Sequence, residues 1–106
     1  MILALFLAGR LYFPLPLTEY ARIGSAHPHV EVTGKVTLAK TEEDGDRHLR
    51  ISDGAAFIVA ECIPLHRKPC RGVKVGAHVR VRGISRRDLL HDWWEIHPVE
   101  SLEILP

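Results

Sequence analysis

Two stretches of the chain concentrate the side chains that could do chemistry. HDWWEIHPV, residues 91–99, holds two histidines, two acids and both tryptophans. DRHLRISDGAAFIVAE, from Asp46 to Glu61, adds His48, Arg50, Phe57 and Glu61 on two arms of alternating apolar residues. Imidazoles beside carboxylates are the raw material of a divalent-metal site or an acid/base pair, and His48, Glu61, Glu95 and His97 are the set a metal-dependent hydrolase would use. An aromatic ring beside a cation on an open sheet suits a different task, stacking a nucleic-acid base while the charge holds a phosphate. No H-E-x-x-H, C-x-x-C, G-x-S-x-G or phosphate-loop string occurs, so the catalytic patterns of highest specificity are absent. Glu95 and His97 read equally well as the polar end of a strand bonded to neighbouring backbone. No catalytic residue, metal ligand or cofactor is therefore assigned, and a binding module is preferred to an enzyme.

The element that must position the second set is a hairpin turning at Asp53-Gly54. These two residues tolerate the positive φ angles of a type I′ turn, the usual two-residue link between antiparallel strands. Such a turn predicts Arg50 opposite Phe57, His48 opposite Val59 and Asp46 opposite Glu61. Leu49, Ile51, Ala56, Ile58 and Ala60 then share the face that enters the core.

Around the hairpin the period of two recurs. From Val30, the residues Val32, Val36 and Leu38 point one way and Glu31, Thr33, Lys35 and Thr37 the other. Gly34 interrupts the alternation where a bulge would let a long strand bend. Ile63 to Val75, with two prolines, predicts a loop with at most a helical turn. Val79 and Val81 then alternate with His78, Arg80 and Arg82. A last strand runs from Trp93 to Ile104, with Trp94 toward the core, Trp93 outside or under the amino-terminal arm, and Pro98 marking an edge or a bulge.

Five strands result: one long and bent, a tight hairpin, a connection of about a dozen residues, then two more. That is the plan of an all-β, five-stranded Greek-key barrel. The segments VEVTGKVTLAKTEEDGDRHLRISDGAAFIVAECIP, GVKVGAHVRVRGIS and WWEIHPVESLEIL resemble, in this order, the OB-fold nucleic-acid-binding barrel of the anticodon-binding type. The likeness covers roughly Val30 to Leu105. The strings DGDRHLRI, AECIP and WEIHPV are also similar to small uncharacterised bacterial OB-like proteins. The resemblance implies a binding face on the outside of the second and third strands, flanked by the loops after strands one and four. The positions it points to here are His48, Arg50, Phe57 and Val59, with the loop residues Arg86, Arg87, His91, Trp93 and Trp94. The leading reading is then single-stranded nucleic acid as the partner, its bases stacked on Phe57, Trp93 and His48 and its phosphates held by Arg50, Arg80, Arg82, Arg86 and Arg87, with steep salt dependence as the signature.

Charge gives mixed support. Net charge is only +1, from 14 basic and 13 acidic residues, which argues against a strongly electrostatic nucleic-acid binder. Eight of the basic residues, from Arg67 to Arg87, fall within about one fifth of the chain. The acidic first loop, Glu42 to Asp46, would repel a phosphate backbone.

At 106 residues the chain should form one core,. Residues 1–28 are expected as an apolar arm packing on the barrel or on a partner, and residues 29–106 as the barrel itself. The opening apolar run stops at Arg10, too short to span a bilayer, and no basic stretch precedes it, so neither a membrane span nor a signal peptide is expected and the cytoplasm is the expected setting. Left uncovered, the arm Met1 to Leu17 would invite association. A homo-oligomer or structural interaction module is thus the second reading, and the hydrolase the third. Cys62 and Cys70 could close a small ring, but free buried thiols are commoner in a cytosolic protein.

Overall fold

The computed structural model describes residues 5–7, 10–17, 19–20, 28–63 and 68–106. Its organising element is β3 (His29–Thr41), long enough to pair twice. The first half of β3 lies antiparallel to β6 (His78–Asp88) and the second half antiparallel to β4 (Arg47–Ser52). Lys35 is the changeover, opposite His78 on one side and Ser52 on the other. From β4 the sheet continues antiparallel to β5 (Phe57–Cys62), parallel to β7 (Trp93–Ile104), and antiparallel from β7 back to β6. The order β3-β4-β5-β7-β6-β3 closes a five-stranded barrel, and closure leaves none of the five with an open edge along its full length.

The inward residues follow from the period of two. Val30, Val32, Val36, Leu49, Ile51, Ile58, Ala60, Val79, Val81, Ile96 and Val99 are all buried in one cluster. Gly34 lies among them at the bend of β3. A Cβ there would come within 2.7 Å of Ile51 Cγ2 and 2.9 Å of the Ser52 carbonyl oxygen, so only hydrogen fits. The bulge itself falls two residues later, between Val36 and Leu38. The extra residue reverses the phase of the strand. Leu38 therefore lies opposite Arg50, and Ala39, rather than Leu38, packs on the core. Pro98 falls inside the irregular stretch of the β6–β7 pairing, where the register shifts on both sides of Gly83.

The central hairpin departs from the expected turn. Ser52 pairs with Phe57, so the loop is four residues, 53–56, not two. Gly54 alone takes a positive φ, 96°. Asp53 Oδ1 accepts hydrogen bonds from the Ala55 and Ala56 N–H groups at 3.0 and 2.9 Å, and Ser52 Oγ accepts one from Gly54 N–H at 3.0 Å. Side-chain acceptors thus hold this loop, where an I′ turn would rely on backbone angles. The slip is an even number of residues, so every side chain keeps its face while its partner changes: Arg50 lies opposite Val59 and His48 opposite Glu61.

The amino-terminal segment adds two strands outside the barrel. β1 (Leu5–Leu7) pairs antiparallel with β2 (Arg10–Pro14), and β2 joins β3 in parallel through Phe13 opposite Val30 and Pro14 opposite Glu31. Beyond β2, Leu17 and Tyr20 enter the core cluster, and the Tyr20 ring meets Trp94 edge-on at 5.5 Å. Residues 1–4, 8–9, 18 and 21–27 of the expected arm, and the loop residues 64–67, lie outside the described residues. None of the described helices is long and apolar enough to cross a membrane.

Both cysteines are buried and joined in a disulfide, with their Cα atoms 6.3 Å apart, in place of the free thiols expected. The bond ties the end of β5 to the 3₁₀ turn Lys68–Cys70. Closing a ring of this size is worth on the order of 2–3 kcal/mol in the chain-entropy picture. Two outcomes are expected. Under denaturing, non-reducing conditions neither cysteine should react with iodoacetamide, whereas reduced chain should take up two adducts by mass spectrometry. Reduction should also lower Tm by roughly 10 °C.

Tyr20 supplies a second stability test. Burial pushes its hydroxyl up to about 12 from 10.0, against the smaller opposing effect of its 2.5 Å hydrogen bond to Ser85 Oγ. A folded-state value above the unfolded one means that this stabilisation is complete below pH 10 and is lost as pH rises from 10 to about 12. Urea midpoints of the wild type should fall through that window by the equivalent of about 2 kcal/mol, and Tyr20→Phe should show a shallower fall over the same range.

Candidate functional site

The outer face of β4, β5 and β7 is where most of the chemistry-bearing residues meet, and it divides into an open half and a covered half. The open half centres on Trp93. Pairing of Trp93 with Asp88 fixes its place at the start of β7. The connecting turn is built by Asp88, whose Oδ1 accepts from the Leu90 and His91 N–H groups at 3.0 and 3.1 Å, while its Oδ2 lies 2.9 Å from His91 Nδ1. The His91 hydrogen bonds, side chain first and backbone second, hold the Asp88 carboxyl below its ordinary range. So fixed, the His91 ring lies stacked on Trp93, 4.5 Å between centroids and 10° between planes.

Phe57 meets Trp93 nearly perpendicular, 6.5 Å away. Arg50 reaches over both rings, its Cζ 4.6 Å from the Phe57 centroid and 5.9 Å from that of Trp93. Such cation–π contacts fix a guanidinium without neutralising it. Arg50 Nε has no hydrogen-bond partner, and none of the ion pairs among the described residues involves this side chain. Beside it opens a groove of about 270 Å³ lined by Ala55, Ala56, Phe57, Arg87, Asp92, Trp93 and Trp94. Phe57, 39% exposed, is its most accessible aromatic residue.

The covered half lies further along the same strands. His48, Val59, Glu61 and Glu95 all point outward by register yet are at most 7% exposed. His48 Nδ1 contacts Glu61 Oε1 directly and lies 3.5 Å from Glu42 Oε1. Burial raises the Glu61 carboxyl above its usual range, with the His48 contact opposing and the charge of Glu42 adding a smaller push upward. Burial also raises Glu95, with Asp88 adding to it and His97 and Arg86 opposing.

The eight expected site residues therefore separate. His48, Arg50, Phe57 and Trp93 come together, the His48 ring 5.9 Å from that of Trp93, although His48 turns into the covered half and is 5% exposed. Arg87 lines the groove, is ion-paired to Asp92 and lies 5.6 Å over Trp94. Arg86 bonds His97 Nδ1 at 3.1 Å and approaches Glu95 at 4.0 Å. Arg80 and Arg82 stand elsewhere: eight and six residues before Asp88 on β6, they are roughly 26 and 20 Å along the strand from the Trp93 pairing. Arg82 is bound to the buried Glu31 at 2.7 Å, and Arg80 to Glu103 at 2.7 Å. The hydrolase set does not converge either. Glu95 and His97 turn to Arg86, while the metal-ligand atoms that gather among the described residues belong to Glu42, His48 and Glu61.

Leu89 and Leu90, at the tip of the β6–β7 turn, are 85% and 89% exposed beside the groove. They carried no weight in the sequence reading. Two adjacent leucines inside the polar run RRDLLHD were the available signal.

No protein-family model and no curated protein matches this chain. Solved structures do. An asparaginyl-tRNA synthetase from Pyrococcus horikoshii superposes with a TM-score of 0.67 over 86% of this chain at 19% identity, and the S. pombe Stn1–Ten1 complex with 0.63 over 77% at 17%. A replication protein A heterotrimer bound to single-stranded DNA gives 0.59 over 78% at 12%. With the strand order above, these decide the fold. The chain is an OB-fold domain. It spans about a fifth of the synthetase chain, 22%, and about three fifths of the other two, 61% and 62%.

The pairing of Arg82 with Glu31 assigns this arginine to the barrel wall. Arg82→Ala should lower stability by about 2 kcal/mol in urea denaturation, because a buried carboxylate loses its nearest cation.

Proposed function

We propose that the groove beside Phe57 and Trp93 binds single-stranded nucleic acid, with a base stacked on Phe57 and its phosphate drawn to Arg50. The observation that carries this reading is the unneutralised guanidinium of Arg50 held over two rings, Phe57 and Trp93, that line an open groove. A base offers a flat face to the ring and an anion to the charge, and sequence-tolerant binders of single strands combine these two contacts. Further support comes from the similar OB fold of the replication protein A structure, which is bound to single-stranded DNA.

In this reading fewer residues contribute. Trp93 has His91 on one face and Phe57 has Arg50 over its ring; Phe57, the more exposed of the two at 39%, is taken as the stacking surface and Trp93 as the groove wall. Arg80, Arg82 and Arg87 are engaged by carboxylates and Arg86 by His97. With Arg50 as the principal free charge, few phosphates are neutralised, and the dependence on salt is shallow where the sequence suggested a steep one. The exposed pair Leu89-Leu90 favours a second reading, a protein partner seated on the same turn.

Fluorescence anisotropy with labelled oligo-dT at two salt concentrations tests this. Measurable binding is expected at low salt, with log K falling with log salt at a slope of about −1. Phe57→Ala should weaken it roughly 5- to 150-fold, the value of one stacked base. Arg50→Ala should weaken it and flatten the slope, and Arg80→Ala should leave both unchanged. A flat titration with dT and rU oligonucleotides at low salt would remove the reading and leave the protein partner.

A further inference from the structure

The covered half of the β4–β5 face holds a group of ligating atoms that the groove does not use. Register places His48 directly across from Glu61. The turn between β3 and β4 brings in a second carboxylate. In that turn the Glu42 N–H donates to the Asp46 carbonyl at 2.7 Å, the Gly45 N–H donates to the Glu42 carbonyl at 2.9 Å, and Gly45 takes a φ of 91°. The loop thus folds back on itself and leaves Glu42 Oε1 3.5 Å from His48 Nδ1. One ligand atom from each of Glu42, His48 and Glu61 lies within 4.8 Å of the others.

A histidine between two carboxylates could be no more than a hydrogen-bonded pair with an acidic neighbour. The state of Glu61 argues for more. The residue is 7% exposed, and its second oxygen, Oε2, is buried with no hydrogen-bond partner. A buried carboxylate oxygen left unmatched is costly, and a protein either neutralises such a group or gives it a cation. The imidazole has only one nitrogen in this contact, whereas two carboxylates converge there. A doubly charged ion matches both.

We propose that Glu42, His48 and Glu61 form a binding site for a divalent transition-metal cation of the zinc type. One imidazole nitrogen with carboxylate oxygens is a donor set for borderline first-row ions; magnesium and calcium favour all-oxygen sites. Three protein ligands leave a fourth position open. Glu42, its side chain 37% exposed, stands at the solvent side and provides the way in,. The proposal does not rest on nucleic-acid binding by the groove, and its test reads metal directly.

The experiment is calorimetric titration of the EDTA-treated full chain with ZnCl₂ at neutral pH, followed by Tm measurement with and without metal. One equivalent should bind with a Kd in the micromolar range or tighter, and Tm should rise with zinc concentration as mass action requires. Titration with CoCl₂ should give visible d–d absorption that saturates at the same stoichiometry. His48→Gln and Glu61→Gln should each weaken zinc binding by more than tenfold. Because those two side chains are buried and the variants could lose structure, Glu42→Gln is the decisive one. This rim substitution should leave the metal-free Tm within about a degree of wild type and weaken zinc binding about tenfold. His78→Gln and His91→Gln should bind zinc as the wild type does. Absence of heat and of a Tm change at a hundredfold excess of zinc would overturn the proposal. So would unchanged affinity in Glu42→Gln, which would put any bound zinc on other histidines.

Discussion

The double pairing of β3 is the constraint on which the rest depends. A strand that pairs with β6 over its first half and with β4 over its second must coil sharply between them, and Lys35 is shared by both ladders. The coil brings inward backbone so close to Ile51 and Ser52 that position 34 has no room for a Cβ. Two residues later the bulge absorbs the remaining mismatch and turns Leu38 outward,. Only after that correction do β4 and β5 present Arg50 and Phe57 to the outside and Leu49 and Ile58 to the core. The site is a consequence of where one strand bends.

Charge is then sorted by the barrel instead of summed. The arginines of β6 look in the sequence like one cationic stripe, but the strand carries them past four different carboxylate neighbours. Arg80 and Arg82 face Glu103 and Glu31, Arg86 lies beside Glu95, and Arg87 turns to Asp92. Exposed pairs of this kind contribute little to stability, whereas one that matches a buried carboxylate such as Glu31 contributes more. Arg50 alone of the expected cations is held by rings and not by an anion. Arg50 thus leaves a local imbalance of one charge beside the groove, in a chain whose total is +1.

Much of this was legible in the sequence because strand alternation is a strong signal. The five barrel strands, the core faces of the hairpin, the bend near Gly34 and the break at Pro98 all follow from period-two patterning and from the two residues that disrupt it. What was not legible depends on pairing across the sheet. The phase reversal at Leu38 needs the bulge position, which no residue of Val36-Thr37-Leu38 announces. The separation of Arg80 and Arg82 from the groove needs the length of β6. The fate of Cys62 and Cys70 needed coordinates too, since the expectation of free thiols came from compartment and not from the path of the chain between them.

The hairpin loop shows how a small local choice sets the chemistry. Asp-Gly favours a two-residue turn through its backbone angles, yet Ser52 and Asp53 also offer side-chain acceptors to the three N–H groups that follow, and that capping favours a four-residue loop,. With the shorter turn, His48 would lie opposite Val59, and Glu61 opposite Asp46, a like-charge pair that disfavours the register by itself. With the longer loop Glu61 meets an imidazole, and Phe57 lies diagonal to Arg50, close enough for the guanidinium to cover the ring. The slip keeps the same side chains in the core, because an even shift conserves every face. On the outer surface it sets Glu61 across from His48 and moves Phe57 from directly opposite Arg50 to the diagonal, still within reach of the guanidinium. The sequence around Asp53 is therefore where the two halves of the outer face are set relative to each other.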